Sequence, residues 1–65
     1  MPKYPEVEVE LTGEDGNAFN IMGKVCKALR DYGCPSGEIE QYLSEAMAGD
    51  YDHLLQTTMK WVNVV

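Results

Sequence analysis

Sixty-five residues with a formal charge of -6 make a single domain, residues 1–65, near the smallest size at which a chain buries enough apolar surface to fold unaided. Eleven acids against five bases repel a nucleic-acid backbone and disfavour an anionic membrane surface, so direct nucleic-acid binding and membrane association are not expected. The opening MPKYPEVEVE lacks the basic start and long apolar run of a secretory signal, and no apolar stretch approaches the roughly 20 residues needed to span a bilayer. A cytoplasmic location follows as the expectation, and the short chain makes a homo-oligomer worth expecting too.

The first predicted element is a strand over EVEVELT, Glu6 to Thr12. Its period of two sends Val7, Val9 and Leu11 to one face and Glu6, Glu8 and Glu10 to the other. GEDGN, Gly13 to Asn17, supplies two glycines and cap-forming side chains, so the chain turns and a helix starts near Asp15. Phe19, Met22, Val25, Cys26, Leu29 and Tyr32, spaced by three and four, predict its buried face. Lys24 and Lys27 share its outer face with Asn20 and Asp31, and with Arg30 the two lysines are three of the five bases.

Gly33 suits a left-handed helix end. Ser36 after Pro35 predicts a cap for a second helix with Glu38 in its first turn. The apolar stripe there is Ile39, Tyr42, Leu43, Ala46 and Met47, with Glu38, Gln41 and Glu45 outside and Gly49 as the stop. Asp50 then caps a third helix carrying Tyr51, Leu54, Leu55, Thr58 and Met59, and WVNVV closes the chain as a strand. The expected fold is α+β, β-α-α-α-β, with paired terminal strands covered on one face by three helices. Two strands alone are marginal in water, and an exposed edge offers a second copy a place to extend the sheet.

Cys26 and Cys34 stand alone, without the further Cys or His pair that a zinc site requires, so reduced thiols and no metal or cofactor are expected. The most polar constellation is GDYDHLLQ. Helix structure accounts for Gly49, Asp50, Asp52 and the apolar positions, and leaves His53 and Gln56 on the polar side. His53 with Asp50 or Asp52 lacks a nucleophile or a complete ligand set, so the chain is read as non-enzymatic. The helix starts Asp15-Gly16-Asn17 and Gly49-Asp50-Tyr51 offer free amides that would make a polar pocket if the fold joined them. Strict alternation in WVNVV turns Trp61 away from Val62 and Val64, towards an interface or a stacked ligand; a Trp61 still in the last helical turn packs inward instead.

With DGNAF (Asp15 to Phe19), GDYDHLLQ and the following Trp61, the chain resembles a family of short, largely uncharacterised acidic proteins of bacterial and bacteriophage genomes, over Gly13 to Val65. The resemblance implies a mobile-element setting, in which such a protein binds something of the host's; countering host signalling is the role expected of the ligand sequestration below. The resemblance implies no activity. The first functional expectation is therefore sequestration of a small nucleotide-like ligand by Asn17, Tyr51, His53, Gln56 and Trp61. The alternative is an acidic interaction module or inhibitor that docks on a basic, nucleic-acid-binding host protein surface through Glu6, Glu8, Glu10, Glu38 and Glu45.

Overall fold

The computed structural model describes residues 1–11 and 17–65. The elements are β1 (Tyr4–Val9), α1 (Ala18–Tyr32), α2 (Ser36–Ala46), α3 (Tyr51–Trp61) and β2 (Val62–Val64), the mixed α+β order expected. The terminal strands pair in parallel, as a β-crossover-β connection of more than a dozen residues permits. Tyr4 stands opposite Val62, Glu8 opposite Asn63 and Val9 opposite Val64. The register breaks between Tyr4 and Glu8, where Pro5 has no N–H to give to a ladder. Backbone bonds at both ends, from Lys3 N–H to the Lys60 carbonyl at 2.8 Å and from Val65 N–H to the Val9 carbonyl at 3.0 Å, close the pair.

The alternation in β1 sorts its faces as expected: Val7 and Val9 are buried, and Glu6, Glu8 and Glu10 are exposed. The strand itself runs from Tyr4 to Val9, earlier than the expected Glu6 to Thr12, because Tyr4 pairs with Val62 and stacks on Trp61. Leu11 is half-buried beyond its end. Thr12, Gly13, Asp15 and Gly16, on which the first turn and the helix start near Asp15 were placed, lie outside the described residues.

Helix α1 packs on β1, and α2 packs on α1 and α3. The buried stripe of α1 is Ile21, Met22, Val25, Cys26 and Leu29. Ile21 joins it, whereas Phe19 falls at its rim and is 76% exposed. Tyr32 also lies exposed, in the last turn, where its ring meets Tyr4 edge-on at 5.9 Å. In α2, Tyr42 and Ala46 are buried and Ile39 and Leu43 half-buried, while Met47 is the exposed cap residue. In α3, Leu54, Thr57, Thr58 and Trp61 are buried, and Tyr51 and Met59 are exposed. Trp61 thus belongs to the last helical turn and packs inward. The Tyr42 and Thr58 hydroxyls satisfy each other at 2.8 Å in the centre of the core.

The helix ends follow local chemistry. Gly33 takes the left-handed conformation at φ 104°, and the Gly33 and Cys34 amides bond back to the Arg30 and Leu29 carbonyls. Ser36 is the first helical residue of α2 rather than its cap: the extended Pro35 precedes it, and the Pro35 carbonyl accepts from Glu38 and Ile39. Helix α2 ends at Ala46, before Gly49. Gly49 answers a different need, since a Cβ there would lie 2.7 Å from His53 Cγ. Cys26 and Cys34 are free thiols. Among the described residues no helix is long and apolar enough to cross a membrane.

Asp50 caps α3 through its Oδ1, which accepts from the His53 N–H at 2.9 Å. Asp50→Ala is expected to cost about 1 kcal/mol in urea unfolding. Asp52→Ala, two residues further on in the same first turn and without a capping bond, stays within about 0.5 kcal/mol of the parent. Equal losses in the two variants would remove the cap from the account.

Candidate functional site

The first turns of α1 and α3 and the end of α2 wall one groove, of about 250 Å³. Ala18, Phe19 and Met22 come from α1, Ala46 and Met47 from the end of α2, and Asp50, Tyr51 and Leu54 from the start of α3. Buried Met22, Ala46 and Leu54 contribute its inner apolar lining. Three large apolar side chains remain exposed around it: Phe19 at 76%, Met47 at 59% and Tyr51 at 42%. The grouping arises because the phase of the α1 stripe leaves Phe19 at the rim, and α2 ends before Met47 can turn inward. Among the described residues Asp50 is the only charged one in the lining.

Of the five residues expected to hold a ligand, Tyr51 alone lines this groove. Asn17 caps α1, its Oδ1 accepting from the Phe19 and Asn20 amides at 2.8 and 3.4 Å. The His53 ring turns back to α2, where Nε2 lies 2.8 Å from the Glu45 carbonyl and 3.3 Å from Thr57 Oγ1. A carbonyl only accepts, so Nε2 carries the proton and His53 ties the two helices. Gln56 donates to Asp52 Oδ2 one turn earlier, at 2.9 Å. Trp61 is 3% exposed, with its ring stacked on Tyr4 at 6.1 Å and met edge-on by Tyr42 at 5.8 Å. Among the described residues the first turn of α1 and the start of α3 share a groove with an apolar lining, Asp15 and Gly16 of the expected pocket lie outside those residues, and Asn17, His53 and Gln56 serve caps and helix contacts.

The carboxylates proposed for partner docking divide as well. Glu45 Oε1 accepts the Trp61 N–H at 2.9 Å and its Oε2 accepts from Gln41 at 3.1 Å. Glu38 pairs with the Lys3 ammonium at 2.6 Å and accepts from the Tyr4 hydroxyl at 2.9 Å. The same Lys3 ammonium lies 4.4 Å above the centre of the Trp61 ring. These two acids thus form part of an aromatic clamp, in place of the free outer face of α2 expected for them. Glu6 accepts from the Tyr32 hydroxyl at 2.9 Å, and Glu8 and Glu10 border a shallow depression of about 210 Å³ beside Lys24, Lys27 and Asp31. Lys24 donates to the Glu10 carbonyl and Lys27 pairs with Asp31 at 2.9 Å, so that surface carries charge of both signs.

Phe19 and Met47 are exposed groove residues that the sequence pattern places only in the core. A signal for Phe19 was present: Ile21, Val25 and Leu29 form an i, i+4, i+8 row that centres the stripe away from it. Among the described residues no group of three His, Cys, Asp or Glu side chains is placed to hold a metal ion. No family model, curated protein or solved structure matches this chain.

The clamp has a pH signature. The Lys3 ammonium, and then the Tyr4 hydroxyl, hold Glu38 below its ordinary value of 4.5; the Trp61 N–H, and then Gln41, do the same for Glu45. A carboxyl with a lowered folded pKa stabilises the fold above its unfolded value and loses that contribution as pH falls through the folded one. Urea midpoints are therefore expected to fall as pH drops below 4.5, and the fall to be smaller in Glu45→Gln. An unchanged acid profile in that variant would show that the bond to Trp61 adds nothing. Trp61→Ala is expected to cost on the order of 3 kcal/mol or more in the same titration at neutral pH; a near-neutral effect would reopen Trp61 as a surface contact.

Proposed function

We propose that the chain is a non-enzymatic binding module that takes an apolar segment of a partner protein into the groove between α1, α2 and α3. The observation that carries this reading is the exposure of Phe19, Met47 and Tyr51 around a groove lined within by Met22, Ala46 and Leu54. Exposed aromatic and methionine side chains gathered at one apolar depression are the composition of protein-binding hot spots. The acidic character of the chain directs the choice of partner towards a basic protein, with the apolar contact supplying affinity and the charge supplying approach.

Sequestration of a nucleotide-like ligand is the second reading, supported by the meeting of two helix starts at one groove. Two observations weigh against it. The groove, at about 250 Å³, is smaller than the roughly 300–1,000 Å³ of small-molecule pockets. His53, Gln56 and Trp61 are also engaged with Glu45, Asp52 and the clamp, leaving few polar groups to fix a base or sugar.

Selection of a random peptide library on the immobilised chain, paired with mass spectrometry of compounds released on denaturing it, separates the two. The groove reading expects enriched peptides with apolar anchors, no stoichiometric small compound, and loss of the enriched peptides on Phe19→Ser. That variant should keep its melting temperature, because the ring is mostly in solvent. A released nucleotide-like compound, or peptides retained equally by Phe19→Ser, would overturn it.

A further inference from the structure

The groove reading leaves open what kind of segment enters, and the surroundings of the groove narrow it. Backbone polar groups brought against apolar walls must be satisfied. The groove is walled by helices, and among the described residues neither β1 nor β2 contributes to its lining, so they offer no strand edge to pair with an extended peptide. An occupant must satisfy its own backbone, which a helix does.

Area decides between a partner helix and a second copy of this chain. Phe19 and Tyr51 expose roughly 250 Å² between them, and with Met47 the patch is on the order of 350 Å². A stable dimer needs about 800 Å² per partner. A twofold contact through this patch would also bring Asp50 and Asp52 of both copies together, like charge against like. The patch matches one short helical face.

Charge decides the flanks of that helix. From Asp31 to Met59 the chain contains no lysine or arginine, and this stretch supplies α2, most of α3 and two of the three groove walls. Asp50 lines the groove and Asp52 follows within the same helical turn. Lys3 is held on Glu38, Lys24 bonds the Glu10 carbonyl and Lys27 pairs with Asp31, all on other surfaces. We infer that the groove takes a cationic amphipathic helix, whose apolar residues at i, i+3 or i+4 and i+7 seat against Phe19, Met47 and Tyr51 while its lysines or arginines flank Asp50 and Asp52. This inference rests on the groove being the binding surface.

The test uses the full chain and a fluorescein-labelled helical peptide of leucine and lysine, about 14 residues long, with leucines at those spacings. The controls are its glutamate-for-lysine counterpart and a scrambled leucine–lysine peptide. Fluorescence anisotropy should show saturable one-to-one binding of the first peptide, weakened about tenfold or more by Phe19→Ser. Added salt should weaken it too. Asp50→Asn with Asp52→Asn should reduce the salt dependence while keeping the fold, since asparagine still caps. Binding of the glutamate or the scrambled peptide as tightly as the first, with Phe19→Ser still weakening it, overturns the cationic helix and leaves the groove. No binding by any peptide, or binding indifferent to Phe19→Ser, overturns both. A sedimenting dimer that Phe19→Ser dissociates would give the groove to a second copy instead.

Discussion

The clamp on Trp61 is the contact through which the terminal segments and two helices are joined. Trp61 is the last residue of α3, and β2 begins at the next position, so the seat of the indole fixes where the closing strand starts. Tyr4 stacks on one side of the ring, Tyr42 meets its edge, Glu45 takes its N–H, and Lys3 lies over it. Tyr4 is also the residue of β1 opposite Val62. One side chain therefore links the two strands, α2 and α3 without a loop between α3 and β2. The two-stranded parallel sheet of the described residues would be marginal alone, and this aromatic contact adds the packing that two strands lack.

That clamp draws polar groups inward from the surface. Glu38, Glu45 and Lys3 would be solvated ornaments on a larger protein; here they satisfy the Tyr4 hydroxyl and the Trp61 N–H. Tyr4 correspondingly has its hydroxyl held protonated well into alkaline pH by its bond to Glu38, so the two partners favour opposite protonation states of one contact. His53 likewise joins α3 to the end of α2, and the small Gly49 leaves room for its ring. Lys3, Glu6, Lys24, Glu38, Glu45 and His53 are recruited in this way to hold elements together. The apolar trio of Phe19, Met47 and Tyr51 stays exposed at one groove instead.

Element type and order were legible in the sequence because each rests on a local rule: alternation for β1, three-and-four spacing for the helices, Gly33 and Asp50 for their ends. Phase was harder. Starting the α1 stripe at Phe19 rather than Ile21 put an exposed ring in the core, since several apolar residues in one helix admit more than one face until the neighbours are known. Ser36 was misplaced by one position because the Pro35 carbonyl, rather than a side chain, opens α2. The roles of His53, Gln56, Glu38 and Glu45 were illegible for a different reason. Each depends on a tertiary or cross-turn partner, and a polar residue at a helix surface looks the same in sequence whether it is free or engaged. The meeting of the two helix starts was legible as a possibility of the topology, but its apolar lining was not, because Phe19 and Met47 had been assigned elsewhere.

Asp50 connects the stability of the molecule with its binding surface. Its carboxylate is committed to the His53 amide as a cap, yet it remains a full negative charge in the wall of the groove. A cap bond neutralises none of that charge; it fixes its position. Asp52 is positioned in the same way by Gln56. Fixed carboxylates lose little side-chain entropy when a cation approaches, but both are exposed to water and salt, where a single pair contributes little. Electrostatic preference must then come from the summed field of a stretch without a base, acting on approach and orientation, while retention depends on how much of Phe19, Met47 and Tyr51 a partner removes from water. The division assigns affinity to three side chains that the fold could not bury and selectivity to a charge distribution that the fold leaves unbalanced.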